Sequence, residues 1–154
     1  MLKKALTLYP DSKEALQMIA DIYTENEEYN SAENYYERLL EVDNNDIEVK
    51  INLAKVYLHL DKLDKTKEML MKASSIDDNS TEVLTAMAGY YTYTQDFDNA
   101  KNYCNRIIQK LPKSPLGYRK LAQLYEATGE NHLSHFNYGI YHEMKNEIEK
   151  FLNL

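Results

Sequence analysis

Three histidines near the carboxyl terminus are the residues of this chain whose type and spacing best suit metal binding. His132 and His135 are three positions apart, which on a helix lets both imidazoles face one zinc ion. His142 and Glu143 begin like the zinc motif H-E-x-x-H, but Asn146 stands where its second histidine is required. Because no third ligand is evident, packing or hydrogen bonding is the favoured role of these histidines, and we expect no metal and no cofactor.

Cys104 is the second candidate for chemistry, as a nucleophile. It falls at a small apolar position of a predicted helix, so we expect it to be buried and unreactive. As the only cysteine of the chain, it cannot form an intrachain disulfide. Glycine-rich phosphate loops, the serine nucleophile elbow and paired-carboxylate motifs do not occur in the sequence. The sequence therefore predicts a protein that is not an enzyme.

The composition favours a folded, helical protein. Hydrophobic residues make up 44% of the 154 positions, and four glycines and three prolines are few for a sheet protein. The net charge of -7 disfavours binding to nucleic acid or anionic lipid. No apolar run approaches the roughly 20 residues of a membrane span, and the amino terminus lacks the apolar stretch of a signal peptide. We expect no direct membrane insertion; either the protein is cytoplasmic, or a targeting segment lies outside residues 1–154.

A repeat with a period of 34 residues positions these side chains. An apolar residue, an alanine and, three positions after the alanine, a tyrosine recur together in every period: Ile19, Ala20 and Tyr23; Leu53, Ala54 and Tyr57; Met87, Ala88 and Tyr91; Leu121, Ala122 and Tyr125. Small residues let two helices approach closely, and larger side chains fill the groove between them. Because one helix pair cannot bury its apolar face alone, the pattern predicts stacked pairs.

The second half of each period carries a matching pattern: a small residue, an aromatic or apolar residue four positions later, and another apolar residue three positions after that. Its members are Ala32, Tyr36 and Leu39; Thr66, Leu70 and Ala73; Ala100, Cys104 and Ile107; Ser134, Tyr138 and Tyr141. Pro10 and Pro112 follow second helices, whereas Asn44 and Asp78 stand at the boundaries between them. Lys50 replaces a large apolar residue, which predicts looser packing there.

These residues and their period resemble the tetratricopeptide (TPR) repeat family. The resemblance implies an all-α fold, a right-handed superhelix of antiparallel helix pairs (an α-α solenoid), whose first helices line a concave groove. It also implies that the protein is a non-catalytic scaffold for protein–protein interaction, binding a peptide or a partner protein in that groove.

We expect a single TPR domain over residues 1–154. Its predicted parts are half a repeat at 1–10, repeats at 13–46, 47–80, 81–114 and 115–146, and a capping helix at 147–154. First helices are predicted at 13–25, 47–60, 81–94 and 115–128, and second helices at 29–42, 63–76, 97–110 and 131–145. The start inside a second helix predicts a fragment of a longer protein; a lone capping helix at the amino terminus is the alternative.

The carboxyl-terminal end departs from the repeat. A break is predicted at 145–147, after which Ile148, Phe151 and Leu152 cover the end of the stack. Residues 133–136 and 138–141 also resemble the TPR tail of bacterial M48-type zinc metalloproteases. That resemblance implies an alternative function, in which the chain engages substrates for a larger protease in envelope protein quality control and lies in the periplasm.

Residues off the packing register of the first helices are expected to face the groove: Gln17, Asp21, Thr24, Ile51, Lys55, Leu58, Thr85, Gly89, Thr92, Tyr93, Arg119, Gln123 and Glu126. Leu58 and Tyr93 are expected to be exposed apolar anchors for a peptide, and Gly89 to leave space for its backbone. Ordinary surface variation is the alternative interpretation of these three residues.

A chaperone peptide and a second copy of this chain are two other kinds of partner. TPR domains that bind the carboxyl-terminal carboxylate of chaperones use a clamp of Lys, Asn and Arg. Here Asn52 matches one clamp position, while the others are occupied by Gln17, Asp21, Glu82 and Ala86, so we predict no clamp. A homodimer formed through uncovered terminal helices, where Leu2 and Leu6 would be exposed, is a further alternative.

Overall fold

The computed structural model describes residues 12–153 together with Thr7 and Pro10. Eight α-helices and no strand occur between residues 12 and 153. They are α1 (Lys13–Glu25), α2 (Tyr29–Val42), α3 (Ile47–His59), α4 (Leu63–Ile76), α5 (Thr81–Tyr93), α6 (Phe97–Lys110), α7 (Leu116–Ala127) and α8 (Asn131–Leu152). The all-α fold class is confirmed, and each of α1 to α7 begins and ends within one residue of its predicted bounds. The predicted half repeat at 1–10 lies outside the described residues, apart from Thr7 and Pro10, and so do Leu2 and Leu6.

The helices form two compact units, Met1–Val83 and Leu84–Leu154. In the first unit α1 packs on α2, α2 on α3 and α3 on α4; in the second, α6 packs on α7 and α7 on α8. The single domain over residues 1–154 and its division into repeats stay predictions.

The small residues of the repeat lie where helices meet. In the first unit Ala20, Ala32 and Leu39 are fully buried, and Tyr36 is almost so. In the second unit Ala88, Ala100, Cys104, Leu121 and Leu124 form one core cluster, with Tyr91, Phe97, Tyr103, Ile108 and Tyr125 packed against it. The repeat residues therefore build the core of both units.

Each first helix begins with a side-chain cap that recurs every 34 residues. Oxygens of Ser12, Asp46 and Ser80 accept hydrogen bonds from the backbone N–H three residues later, at 3.3, 3.2 and 3.0 Å. Ser114 Oγ accepts from Leu116 N at 3.3 Å. These bonds satisfy backbone donors that a helix leaves unpaired at its start.

The turn after each first helix also repeats, as a backbone motif. Glu27, Asp61, Gln95 and Gly129 have φ of 60°, 56°, 61° and 77°. The next residue donates its N–H to the carbonyl of the repeat tyrosine, as in the 2.8 Å bond from Glu28 N to Tyr23 O. This is the Schellman motif, which pairs the last carbonyls of a helix and needs one left-handed residue.

Lys50 occupies the apolar position that it was predicted to loosen, and it is buried. Its ammonium donates to the backbone oxygen of Asn44 and, at 3.2 Å, to Asn44 Oδ1. Burial lowers the pKa of Lys50. Asn44, at the repeat boundary, thus provides one backbone and one side-chain acceptor for a cation held inside the first unit.

The predicted break at 145–147 is wrong, because α8 continues without interruption to Leu152. The break was predicted from Lys145, Asn146 and Glu147, which are polar but compatible with a helix, and neither glycine nor proline lies among them. Lys145 Nζ also lies 3.8 Å from a Glu149 carboxylate oxygen one turn later, a pairing that supports helix. Ile148, Phe151 and Leu152 are 40%, 78% and 74% exposed, so they do not cover the end of the stack.

Candidate peptide-binding surfaces

The predicted groove residues of the first unit form a patch on α1 and α3, here called the first patch: Gln17, Asp21, Lys55 and Leu58. Lys55 is exposed, whereas Leu58 is only partly exposed. Ile51, which was also expected in the groove, is 4% exposed and belongs to the core. Ile51 was predicted from helical phase alone, which does not reveal how much of a side chain its neighbours cover.

The polar groups of the first patch bind one another. Gln17 Nε2 donates to both carboxylate oxygens of Asp21, at 3.0 and 3.2 Å. Tyr36, from α2, donates its hydroxyl to Asp21 Oδ1 at 2.5 Å. Burial and this bond to Asp21 raise the pKa of Tyr36, because both favour the neutral phenol. Asp21 therefore anchors α2 to α1 and has fewer acceptor positions left for a ligand.

The predicted groove residues of the second unit are here called the second patch: Gly89 and Tyr93 on α5, and Arg119 and Gln123 on α7. Tyr93 is 53% exposed, and Arg119 and Gln123 are exposed as well. A Cβ added at Gly89 would meet no described atom within 4 Å, apart from its own helix backbone. Because Gly89 and Tyr93 are four residues apart on one helix, the second patch combines an exposed aromatic ring with open space one turn away.

Thr85 precedes Gly89 by one turn on α5, but its hydroxyl does not reach the surface. The oxygen is buried, and no hydrogen-bond partner for it occurs in the described part of the chain. A buried hydroxyl without a partner costs stability. Only the other atoms of Thr85, which as a residue is partly exposed, are able to contribute to the second patch.

The histidines of α8 and Cys104 belong to neither patch. His132, His135 and His142 are exposed on α8. Within the described ranges, no group of three or more His, Cys, Asp or Glu side chains is arranged to hold a metal ion. Cys104 is buried, and burial raises the pKa of its thiol to about 11, so that very little reactive thiolate forms near neutral pH.

A membrane span is not found either. Over the part of the chain that the structure describes, every helix is too short or too polar to cross a bilayer.

Phe136 is 66% exposed on α8, which the repeat pattern does not predict. Phe151 and Leu152 are exposed as well, against the expectation that they cover the end of the stack. The sequence does carry a signal for a long, partly uncovered last helix: apolar residues three to four positions apart continue along 140–152, past the length of the other second helices.

A match to a family model identifies the family of this chain. The tetratricopeptide repeat model matches residues 1–50 and 24–90, more than half of the chain. The chain belongs to the tetratricopeptide repeat family. A search of curated protein sequences finds no significant match.

Solved TPR structures share the fold. The chain resembles MamA, with a TM-score of 0.77 and 17% identity over 97% of this chain and 87% of MamA. It resembles a tetratricopeptide repeat protein from Parabacteroides merdae, with a TM-score of 0.83 and 21% identity over 88% of this chain and 53% of that one. It also resembles the first TPR of Spaghetti (RPAP3) bound to the HSP90 peptide SRMEEVD, with a TM-score of 0.66 and 17% identity over 76% and 93% of the two chains. At these identities the similarity shows the fold alone.

Proposed function

We propose that this TPR chain is a non-catalytic protein-interaction module that holds an extended peptide segment on its second patch. The observation that carries the proposal is the exposed ring of Tyr93 beside the open space at Gly89. Exposed aromatic rings are frequent anchors in interfaces because they bury a large area with few rotatable bonds. A residue without a side chain lets a peptide backbone approach the helix.

The first patch is less suited to the same role. Its acidic group already accepts hydrogen bonds from Gln17 and Tyr36, and Ile51 is buried. Breaking these bonds to bind a ligand would leave polar groups unpaired, which weakens binding. We therefore assign the contact to the second patch alone.

The similarity to a TPR structure that holds a peptide supports a peptide as the class of ligand. The peptide need not be the same one, since the sequences are only 17% identical. The alternative function as the tail of an M48-type protease stays a prediction. An H-E-x-x-H helix encoded upstream of this chain would favour it.

A selection from a random peptide library tests the proposal. Peptides that bind residues 1–154 are selected, and their dissociation constants are measured by fluorescence anisotropy for the wild type, Tyr93→Ala and Gly89→Leu. We expect both substitutions to weaken binding by roughly tenfold or more, because each removes or obstructs a central contact.

Gly139→Leu is the matched control for Gly89→Leu. Gly139 also lies on a helix with no described atom within 4 Å of an added Cβ, but on α8. The same leucine at 139 should leave peptide affinity unchanged. If the selected peptides bind Tyr93→Ala and Gly89→Leu as tightly as the wild type, the second patch is not the binding site; if no peptide is selected at all, the proposed function fails.

Chaperone peptides that end in Glu-Glu-Val-Asp are expected not to bind tightly. A carboxylate clamp needs cations, whereas Asp21 and Glu82 stand at two of the clamp positions and would repel an acidic carboxyl terminus. Calorimetric titration with SRMEEVD should show no saturable heat in the micromolar range. A tight complex would contradict this expectation.

A further inference from the structure

The carboxyl-terminal half of α8 extends past the helix against which it packs. The helix has 22 residues, against 12 in α7, and the turn between them is short. Since α8 runs back along α7, it passes the start of α7 near Glu143 and continues for about ten residues, or about 15 Å. Residues 143–152 are here called the overhang. Every residue from 145 to 153 is exposed, as expected for a stretch of helix without a neighbour among the described residues.

The overhang carries an apolar ridge on the face that α7 covers farther back. Ser134 and Asn137 are buried next to α7. Met144, Ile148 and Leu152 follow at steps of four on the same side of the helix, with Phe151 at its border. Leu152 and Phe151 are 74% and 78% exposed. Ridges of side chains four residues apart are the surfaces through which helices most often pack.

One pair of charges on the overhang, Lys145 and Glu149, which lie within ion-pair distance in a single helix, is complementary to itself about residue 147; Glu143, Glu147 and Lys150 are not part of that pattern. Lys145 and Glu149 lie on one flank of the ridge, at equal distances from Glu147. The midpoint of residues 143–152 falls next to the same residue. A two-fold axis at Glu147 therefore brings Lys145 of one copy to Glu149 of the other, twice, while the two overhangs cover each other from end to end.

We propose that the overhang is a self-association surface, on which the α8 helices of two copies pack antiparallel. The second copy takes the place along α8 that a longer α7 would fill, and it buries Met144, Ile148 and Leu152. A foreign helix would need opposite charges at the positions that face Lys145 and Glu149, whereas a second copy supplies them from the same residues. This surface is separate from the second patch, so its role does not depend on the proposed function.

Sedimentation velocity of residues 1–154 over a range of concentrations tests the proposal. The buried surface is small, so the wild type is expected to shift from monomer to dimer mass only as concentration rises. Lys145→Glu gives a flank with acidic groups only, and Glu149→Lys gives one with basic groups only. Each variant alone should dimerise roughly tenfold more weakly than the wild type, because like charges then meet across the axis.

An equimolar mixture of the two variants distinguishes intermolecular pairing from a local effect. In the mixture the acidic flank of one copy meets the basic flank of the other, so a heterodimer should form at the concentrations at which the wild type dimerises. A loss of helix within either variant would not be repaired by mixing. A mixture that stays monomeric under those conditions overturns the proposed arrangement.

Leucine and phenylalanine variants test the apolar ridge. Leu152→Ser should abolish the dimer, whereas Phe136→Ser should leave it unchanged, since Phe136 lies on the opposite side of α8 and beside the part that packs on α7. Circular dichroism verifies that both variants keep their helices. A wild-type chain that remains monomeric up to its solubility limit overturns the proposal and leaves the ridge to a different protein.

Discussion

Glu27, Asp61 and Gln95 hold side chains at turn positions where the backbone is left-handed. Their φ angles lie between 56° and 61°, a region in which a Cβ is unfavourable, while the equivalent Gly129 adopts 77° without that cost. We predict that Glu27→Gly, Asp61→Gly and Gln95→Gly each stabilise the fold by about 1 kcal/mol, and that Gly129→Ala destabilises it by a similar amount. Urea unfolding measures the free energy of unfolding of each variant. A decrease in that free energy for Glu27→Gly would contradict the prediction.

Cys104 is predicted to react only when the fold opens. The thiol is 1% exposed, and burial raises its pKa to about 11. In the native protein a disulfide reagent that reports thiolate should react far more slowly than with a small free thiol, and in concentrated urea at the same rate. Rapid modification of the native protein would show that Cys104 is accessible after all.

At the scale of the helices, Gly117 sets how closely α7 approaches α6. A Cβ at this position would lie 2.4 Å from Ile108 Cγ1 and 3.1 Å from the Ile108 backbone nitrogen. Since the backbone of α6 cannot yield as a flexible side chain does, Gly117→Ala is expected to destabilise the protein by roughly 1–3 kcal/mol. Thermal unfolding checks this prediction.

Gly139→Ala is the matched control for Gly117→Ala. It places the same methyl group in open space on α8, where the gain in helix propensity should stabilise by roughly 0.5–1 kcal/mol. Equal effects of the two substitutions would mean that α7 and α6 are not in close contact at Gly117.

The helices could be predicted from the sequence because local and periodic signals agree. Alanine and tyrosine recur every 34 residues, and the capping residues Ser12, Asp46 and Ser80 follow the same period. The sequence pattern does not predict the end of α8, because residues 147–152 have no counterpart in the earlier repeats and the polar residues at 145–147 resemble a break. Helix continuation there depends on propensity and on the pair of Lys145 with Glu149.

The candidate site could be predicted only in part. Helical phase located Gly89 and Tyr93 at a surface with open space, because both properties are set by a single helix. It did not reveal that Asp21 is engaged by Tyr36, since that bond joins residues on two helices. Nor did it show that Ile51 is covered by its neighbours. Contacts between helices depend on how far each side chain reaches, which a residue pattern does not specify.

At the scale of the whole molecule, stability is expected to fall in alkaline solution. Burial raises the pKa of Cys104 from 9.0 to about 11, and it also raises the pKa values of Tyr36 and Tyr57 above their ordinary 10.0. In the unfolded chain these groups lose their protons first, so the native state binds more protons above pH 9. The stabilisation is complete below pH 9 and is lost as the pH rises through 9 to 11 and beyond.

Unfolding by urea at a series of pH values measures this dependence. The replacement Tyr36→Phe should reduce the slope above pH 10, since it removes one group that ionises only after unfolding. A free energy of unfolding that stays constant from pH 8 to 11 would contradict the prediction.

The effect of a substitution at position 44 depends on which residue occupies position 50. The buried ammonium has two acceptors at Asn44: the backbone oxygen, which any residue at this position would keep, and Oδ1, which belongs to the asparagine side chain. Proline at 44 would keep the backbone acceptor and remove only Oδ1, whereas a large apolar residue at 50 would remove the buried cation and leave the exposed Asn44 side chain in solvent. The loss of Oδ1 is therefore expected to cost stability only while Lys50 is present, so the effect of proline at 44 should be measured both with Lys50 and with leucine at that position.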